Sequence, residues 1–274
     1  MPELPEAETV ARQLRAGLLG ATLTALVVQR PDIVQQGLAT SAWYQGCVLD
    51  SVERRGKSVV LGFQKSGLLR YLVAELGMTG LLLFLGRDQS YAKHTHVRMS
   101  FSGGSVEEVG YWNPRRFGRI SLLDELGLSD YTERRFGLDP LAMSWESFWD
   151  ALHAKRVRIK SLLMDQRWMA GVGNIYANEI LFRAGIHPER RADRLSQLRG
   201  RRLFEQTQAV LREAIECGGS SIRDFIAPNG ERGRFASRHL VYGKADQPCP
   251  SLCGDIVRLS KGARTSFYCP RCQK

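Results

Sequence analysis

The sequence lacks any long hydrophobic run. Its longest apolar stretch, residues 81–85, is far shorter than the roughly 20 apolar residues that a membrane-spanning helix needs. No positively charged segment followed by an apolar one opens the chain, so a secretory signal peptide is not expected. We therefore expect a soluble intracellular protein with no membrane partner.

Cysteine is scarce and unevenly placed. The 274 residues contain six cysteines, and four of them lie in the last 26 residues. So few cysteines in so long a chain exclude a small disulfide-stabilised fold, and their clustering favours a metal site in a reducing compartment. Repeats and low-complexity segments are also lacking. With 43% hydrophobic and 24% charged residues, the composition is that of a globular protein and excludes disordered and collagen-like classes.

Acidic residues are the minority among the charges. The chain has 28 Asp and Glu against 39 Lys and Arg, and residues 131–274 carry +10 of the net charge of +11. Arginine supplies 31 of the 39 cations, and its planar guanidinium suits phosphates and base edges. The basic second part favours a nucleic acid as partner, and solvated helix surfaces are the alternative interpretation.

Hydrophobic periodicity indicates an α+β multidomain protein. A helix is predicted at the start, because Pro5 suits a first helical turn and apolar residues then recur at helical spacing. Short β-like runs follow at residues 22–29, 58–63, 68–76, 81–85, 96–101 and 120–123. We predict an N-terminal domain over 1–125, a linker over 126–144, a helical domain over 145–242 and a cysteine-rich module over 243–274.

The strongest single motif is formed by the last four cysteines, Cys249, Cys253, Cys269 and Cys272. Two close pairs separated by 15 residues can surround one zinc ion with four thiolates, and the metal would supply folding energy that so small a module lacks. We therefore predict one structural Zn²⁺. Cys47 and Cys217 stand alone and are interpreted as small buried residues.

Two loops have the composition of nucleic-acid contacts. Residues 171–174, Gly-Val-Gly-Asn, precede an apolar-periodic helix, and with Asn174 as its cap they would direct free amides at a phosphate; an ordinary helix start is the alternative. Residues 113–118 carry two arginines and a phenylalanine, which can read a base edge and wedge into a base stack. Residues 76–80 form a similar turn, for which a plain hairpin is the alternative.

The N-terminus offers an unusual nucleophile. Met1 precedes a small residue and is normally removed in that context, which would leave Pro2 as a free secondary amine. An α-amino pKa near 8 leaves roughly a fifth of such amines uncharged at neutral pH. Attack of this amine on a sugar carbon gives an iminium, and Glu3 can transfer the proton. From composition alone, a simple helix leader is the alternative.

Taken together, seven segments resemble the bacterial formamidopyrimidine-DNA glycosylase family, whose members remove oxidised purines such as 8-oxoguanine from DNA. They are MPELPEAETV at the start, RRGK at 54–57, LGMTG at 76–80, PRRFG at 114–118, LLMDQRWMAGVGNIYANEILFRAGIHP at 162–188, GGSSIRDF at 218–225 and RTSFYCPRCQK at 264–274. The resemblance implies an N-terminal β-sandwich with flanking helices, a helix–two-turn–helix bundle and a C-terminal zinc-finger β-hairpin. It also implies a bifunctional glycosylase and abasic-site lyase of base excision repair, acting as a monomer on double-stranded DNA in the cytoplasm, at the nucleoid, without a nucleotide cofactor.

The resemblance also assigns roles to single residues. Pro2 matches the Schiff-base nucleophile, Glu3 the general acid that opens the deoxyribose ring, and Glu6 a supporting carboxylate. The residues matching phosphate contacts around the everted nucleotide are Lys57, which also belongs to the catalytic set, Asn174 and Arg264, with Lys160 near the lesion. The residues matching those that fill the vacated space are Met78, Arg115 and Phe117, with Arg115 pairing with the orphan cytosine. The lid over the everted base is expected over 218–238, including Ser220, Ser221 and Arg223.

Three positions depart from the family pattern. Glu75 stands where a phosphate-contacting His is usual, and Arg54, Arg55 and Arg70 are the cations that we consider as its partners. Asn113 replaces the usual Asp, and three residues instead of two separate Cys249 from Cys253. Two alternatives remain: an endonuclease VIII-like enzyme for oxidised pyrimidines, and a DNA-binding homologue without turnover.

Overall fold

In a computed structural model, residues 2–86, 91–222, 224–262 and 264–274 are described. The chain is of the α+β class, as predicted, and forms two compact units. The first comprises Met1–Arg134 with Cys217–Arg234, and the second comprises Arg135–Glu216 with Phe235–Lys274. Within the described ranges, no helix is both long and apolar enough to cross a membrane. The four-part division by residue number stays a prediction.

The first unit contains one helix packed on a large sheet, followed by a second helix. Helix α1 spans Leu4–Leu18, and α2 spans Glu125–Arg135. The strands are β1 (Thr22–Val28), β2 (Val34–Gln36), β3 (Cys47–Arg55), β4 (Ser58–Lys65), β5 (Leu68–Glu75), β6 (Leu81–Phe84), β7 (Thr95–Ser102), β8 (Glu108–Trp112) and β9 (Ile120–Leu123). Their order in the sheet is β2-β9-β5-β4-β3-β1-β7-β8-β6. Neighbours are antiparallel, except that β2 runs parallel to β9.

The two halves of this sheet enclose one hydrophobic core, which is the arrangement of a β-sandwich. Leu61 of β4, Leu72 of β5 and Met99 of β7 are fully buried in it, and α1 adds Leu14 and other residues at helical spacing. A polar contact also links the halves, because the hydroxyl of Tyr111 on β8 donates to a β5 carbonyl. Helix α1 covers β3 and β4, so the N-terminus starts directly on the sandwich.

The predicted helix at the start and all six predicted β-runs are confirmed, whereas three strands and one helix were missed. Strands β2, β3 and β8 lie outside the predicted runs. Strand β3 was missed because charged residues occupy its exposed face and interrupt its apolar residues. Helix α2 lies largely in the segment predicted to be a linker, and no helix was predicted there. Tyr131 is the buried residue of α2, and one buried side chain gives no apolar periodicity.

The second unit is helical and ends in a small hairpin. Its helices are α3 (Trp145–His153), α4 (Ile159–Leu163), α5 (Asn174–Ala184) and α6 (Gln197–Glu216), and its strands are β10 (Arg258–Ser260) and β11 (Ser266–Tyr268). Helix α5 packs against both α6 and β11. A separate core of Phe182, Val241, Val257 and two of the cysteines lies beneath the hairpin.

Candidate active site

The N-terminal residues are held at the start of α1. Pro2 is buried, and Glu3 and Glu6 are each 1% exposed. Glu3 is the N-cap residue, and its backbone N–H donates to Oε2 of Glu6 at 2.7 Å. This bond satisfies a backbone donor that the helix leaves open, and it fixes the chain next to Pro2.

The same Glu6 carboxylate also binds the segment expected to form the lid. Its Oε1 accepts the backbone N–H of Ser220 at 2.7 Å. The preceding Gly219 has φ +82°, and a Cβ placed there would lie 2.6 Å from Oε1 of Glu6. Only glycine therefore permits this approach of the two segments. No local sequence pattern indicated this contact, because Glu6 and Ser220 are 214 residues apart.

The expected lid is held by hydrogen bonds within itself and by one to strand β6. Ser221 Oγ donates to the carbonyl of Phe225 at 2.6 Å and accepts the N–H of Gly233 at 2.8 Å. Farther along, the carbonyl of Pro228 accepts the N–H of Phe84 at 2.9 Å. Arg223, like Met1, lies outside the described residues. The covering role of residues 218–238 remains a prediction.

Lys57 lies at the tip of the β3–β4 hairpin, near Glu75, the residue that stands where the family usually has a His. Ser58, which follows Lys57, is the register partner of Glu75 on β5. The Tyr131 hydroxyl lies 3.0 Å from Ser58 Oγ and donates to Glu75 Oε1 at 3.1 Å. Helix α2 thus supplies a hydrogen-bond partner for Glu75 that the sequence analysis missed.

The three arginines considered for Glu75 each make a defined contact. Arg54 pairs with Glu8 at 3.2 Å, and Arg55 pairs with Glu53 at 2.8 Å. The guanidinium of Arg70 lies over the ring of Trp43, 5.1 Å from its centroid.

Met78, Arg115 and Phe117 lie on two neighbouring loops of the sandwich. Met78 is 37% exposed in the β5–β6 loop, and Phe117 is 57% exposed in the β8–β9 loop. The Arg115 guanidinium lies 5.0 Å from the centroid of the Phe117 ring. Large apolar side chains exposed beside a guanidinium are suited to insertion into a base stack, and this role of the three residues stays a prediction.

The glycine-containing loop of the second unit leads into α5. Gly173, and not Asn174, is the N-cap residue, so the predicted capping by Asn174 was wrong. Asn174 is the first residue of the helix, and its carbonyl and Oδ1 accept the amide of Asn178 at 2.6 and 3.4 Å. Gln166 braces the loop by accepting the N–H of Gly171 at 2.9 Å and donating to the carbonyl of Val172 at 2.8 Å.

Two buried side chains fix the hairpin that carries Arg264. Lys160, 5% exposed, donates to the Thr265 carbonyl at 2.6 Å and to Ser266 Oγ at 2.9 Å. Asn178 accepts the N–H of Phe267 at 2.8 Å. Arg264 itself is exposed in the loop between β10 and β11. Asn178, which the sequence analysis did not single out, thus links the strand after Arg264 to the helix start at Asn174.

The four cysteines of the last segment converge. Their sulfur atoms lie within 4.8 Å of one another, with 3.7 Å between Cys249 and Cys272 and 3.5 Å between Cys253 and Cys269. Four thiolates at about 2.3 Å from a tetrahedral Zn²⁺ would be about 3.8 Å apart, so these residues fit a metal ion. The three-residue spacing of the first pair does not prevent this convergence.

Comparison with known proteins identifies the family. The sequence model of the formamidopyrimidine-DNA glycosylase N-terminal domain matches residues 1–120, and that of the H2TH domain of the same proteins matches residues 136–226. The chain belongs to the formamidopyrimidine-DNA glycosylase family.

Full-length relatives agree with this assignment. The formamidopyrimidine-DNA glycosylases of Solibacter usitatus and Heliobacterium modesticaldum are 39% and 36% identical to the chain, and each alignment covers all of both proteins. Among solved structures, the MutM (Fpg) protein of Thermus thermophilus matches with a TM-score of 0.86 at 36% identity over 99% of this chain and 98% of that one. The Lactococcus lactis Fpg in complex with abasic-site DNA matches with a TM-score of 0.88 at 29% identity over 99% of both chains. The protein is therefore an enzyme of the formamidopyrimidine-DNA glycosylase family.

Proposed function

We propose that this glycosylase removes oxidised purines from duplex DNA through a Schiff base on Pro2 and then cuts the strand at the resulting abasic site. The carboxylate of Glu6 carries the proposal. It accepts one hydrogen bond from Glu3, the neighbour of Pro2, and another from Ser220 of the expected lid. The Lactococcus lactis relative has been solved with DNA containing an abasic site, and a mutant of it has been solved with DNA containing Fapy-dG. Those complexes support the same substrate class for this chain.

The first step requires the Pro2 amine, which becomes free when Met1 is removed. Its nitrogen lone pair attacks C1′ of the damaged nucleotide, the bond between C1′ and the base breaks, and the departing base takes up the proton that the proline nitrogen loses. Glu3 gives a proton to the ring oxygen, so that the sugar opens and leaves a cationic iminium on the proline nitrogen. Because a secondary amine cannot yield a neutral imine, this iminium stays a strong electron sink.

Strand cleavage follows from the same intermediate. The iminium acidifies the C2′ proton, and its removal expels the 3′ phosphate by β-elimination. A second elimination expels the 5′ phosphate, and hydrolysis of the iminium restores Pro2. Each elimination removes a proton and expels a phosphate, and the hydrolysis consumes one water molecule, so no oxidant or nucleotide cofactor is needed.

Eversion of the damaged base explains the remaining residues. A base inside the stack cannot be reached, so it must leave, and the space must be filled. We assign this filling to Met78, Arg115 and Phe117, with Arg115 facing the cytosine left behind. Ser220, Ser221 and the rest of residues 218–238 cover the everted base.

We assign the contacts with the DNA phosphates to basic and amide side chains. Lys57 lies at a hairpin tip of the first unit, while Asn174 and Arg264 lie at a helix start and a hairpin loop of the second. Lys160 acts near the lesion and also fixes the Arg264 hairpin. Cys249, Cys253, Cys269 and Cys272 would hold one structural Zn²⁺, which supplies folding energy to the hairpin.

A comparison of substrates tests the proposal. Duplexes carrying 8-oxoguanine opposite cytosine, thymine glycol, or a preformed abasic site are incubated with the protein, and the products are resolved on a denaturing gel. We expect excision of 8-oxoguanine well above that of thymine glycol, and ends with phosphates on both sides of the gap. Equal activity on both lesions would favour an endonuclease VIII-like enzyme, and salt-sensitive binding without cleavage would favour a DNA-binding homologue.

A further inference from the structure

The loops that carry Met78 and Phe117 touch each other through their backbones. The N–H of Glu75, just before the first loop, donates to the carbonyl of Arg119 at the end of the second at 2.9 Å. Gly77 has φ +58°, and a Cβ added there would lie 2.6 Å from the nitrogen of Gly118. The contact therefore leaves no room for a side chain at Gly77, and the two loops fit closely.

A buried polar chain joins the same two loops. The hydroxyl of Tyr111 donates to the carbonyl of Glu75 at 2.6 Å. The Nδ2 group of Asn113 donates to the Tyr111 hydroxyl at 3.1 Å and to the carbonyl of Gly118 at 3.2 Å. Tyr111 and Asn113 are both fully buried, so these bonds form away from competing water.

The chemistry of the groups determines which of them donate in this series of hydrogen bonds. The single hydroxyl proton of Tyr111 is directed at the backbone carbonyl of Glu75, and the carbonyl of Gly118 can only accept. Asn113 must therefore present its NH₂ group to both the Tyr111 oxygen and the Gly118 carbonyl. Its Oδ1 atom is buried and has no hydrogen-bond partner among the described residues. An Asp at this position, as in the usual family pattern, would have no N–H to give. The link between the two loops through the Asn113 amide is thus a property of this protein.

Asn113 also fixes the start of its own loop. Its backbone carbonyl accepts the N–H of Arg116 at 3.1 Å and lies 3.0 Å from Nε2 of His96 on β7. Arg116 adopts φ +55°, an uncommon conformation for a residue with a side chain. Arg115 and Phe117, on either side of it, are thereby held on a tightly determined turn.

We propose that Tyr111 and Asn113 are positioning residues that hold the two loops together, so that Met78, Arg115 and Phe117 enter the DNA as one preorganised group. The inference rests on the proposed function, in which these three side chains fill the space of the everted base. Preorganisation removes the cost of ordering two independent loops during eversion. Steps that need no space-filling, such as reaction with an abasic site in single-stranded DNA, do not depend on it.

The test compares two hydroxyl deletions, each of which removes a bond to a carbonyl of β5. Tyr111→Phe removes the bond to Glu75, whereas Tyr44→Phe, the matched control, removes an equally buried hydroxyl that donates to the carbonyl of Tyr71 at 2.9 Å. We expect Tyr111→Phe to slow excision from an 8-oxoguanine:cytosine duplex by about tenfold or more. Borohydride trapping on single-stranded abasic DNA should stay within about twofold of the parent protein for both variants. Tyr44→Phe should leave both reactions unchanged.

A double-mutant cycle identifies the route of the effect. If Tyr111 acts through the loop of Phe117, Tyr111→Phe should cost about twofold or less in a Phe117→Ala background. Full additivity, or equal losses on both substrates, would overturn the inference and indicate general destabilisation. Loss of trapping by the parent protein itself would instead refute the proposed function.

Asn113→Asp gives an independent variant, expected to weaken discrimination between cytosine and adenine opposite the lesion, and unchanged discrimination would contradict the positioning role.

Discussion

The carboxylate of Glu6 accepts the backbone N–H of Ser220 at 2.7 Å, although the two residues are 214 positions apart. Its second oxygen accepts the N–H of Glu3 at the same distance. One buried carboxylate therefore fixes both the residue next to Pro2, the proposed nucleophile, and the beginning of the expected lid. Because both donors lose access to water, each bond matters more than a surface bond would.

Gly219→Ala tests the approach of the lid to Glu6. The added Cβ would collide with Oε1 of Glu6, whereas in Gly103→Ala, the matched control outside residues 218–238, it meets nothing within 4 Å. Both positions have nearly the same positive φ, +82° and +81°, so both variants should lose about 1–2 kcal/mol of stability from the backbone conformation. Only Gly219→Ala should lose excision activity as well. Equal kcat/KM for the two variants would contradict the assignment of Glu6.

Glu75→Gln tests the effect of the unusual anion. The amide oxygen of Gln can still accept the Tyr131 hydroxyl, which now donates to Glu75 Oε1 at 3.1 Å, while the negative charge is removed. If Glu75 faces a phosphate, DNA affinity should rise by about 0.3–1 kcal/mol at low salt. Glu53→Gln, which removes an exposed carboxylate paired with Arg55, is the control. Fluorescence anisotropy with a labelled abasic-analogue duplex measures both, and unchanged affinity for Glu75→Gln would refute a phosphate-facing anion.

Removal of metal tests the cysteine cluster. We expect one zinc per chain by elemental analysis, and loss of DNA binding when a strong chelator removes it, because the hairpin carrying Arg264 depends on the metal for its fold. Cys269→Ser should reproduce the loss at full metal supply. Cys217→Ser, which alters a buried cysteine outside the cluster, should keep the zinc. A chain that purifies without zinc and binds DNA normally would contradict the assignment.

Acid sensitivity is expected from His239. Burial, with a smaller effect of the Lys244 charge, lowers the pKa of His239 to about 4. The unfolded chain binds the proton near pH 6.5, so stability is lost as the pH falls from 6.5 towards 4, by up to about 3 kcal/mol. His239→Gln should reduce this pH dependence of the unfolding free energy. Identical pH profiles for parent and His239→Gln would contradict the expectation.

Local patterns predicted much of the fold, and long-range contacts account for what was missed. Periodicity was sufficient for α1 and for strands such as β4 and β5, because their buried faces repeat regularly. It failed for α2, whose single buried side chain, Tyr131, reaches Glu75 on a different element. The cysteine spacing predicted the convergence of the four thiols because these residues are close in sequence.

The same distinction between local patterns and long-range contacts applies to the candidate site. The resemblance pointed to Glu6, Asn174 and Arg264, but it did not show what holds them. Glu6 meets Ser220, and Asn178 links Asn174 to the hairpin, through bonds between residues that are far apart in sequence. Such bonds depend on the folded backbone, which no local pattern of one sequence specifies.

The Schiff base on Pro2 is the central claim, and borohydride trapping tests it most directly. The protein is incubated with an 8-oxoguanine:cytosine duplex in the presence of borohydride, and the cross-linked peptide is mapped by mass spectrometry. We predict a covalent adduct on Pro2, which would establish removal of Met1, lesion recognition and the iminium route together. Absence of an adduct, with Pro2 confirmed as the first residue and DNA still bound, would contradict the mechanism.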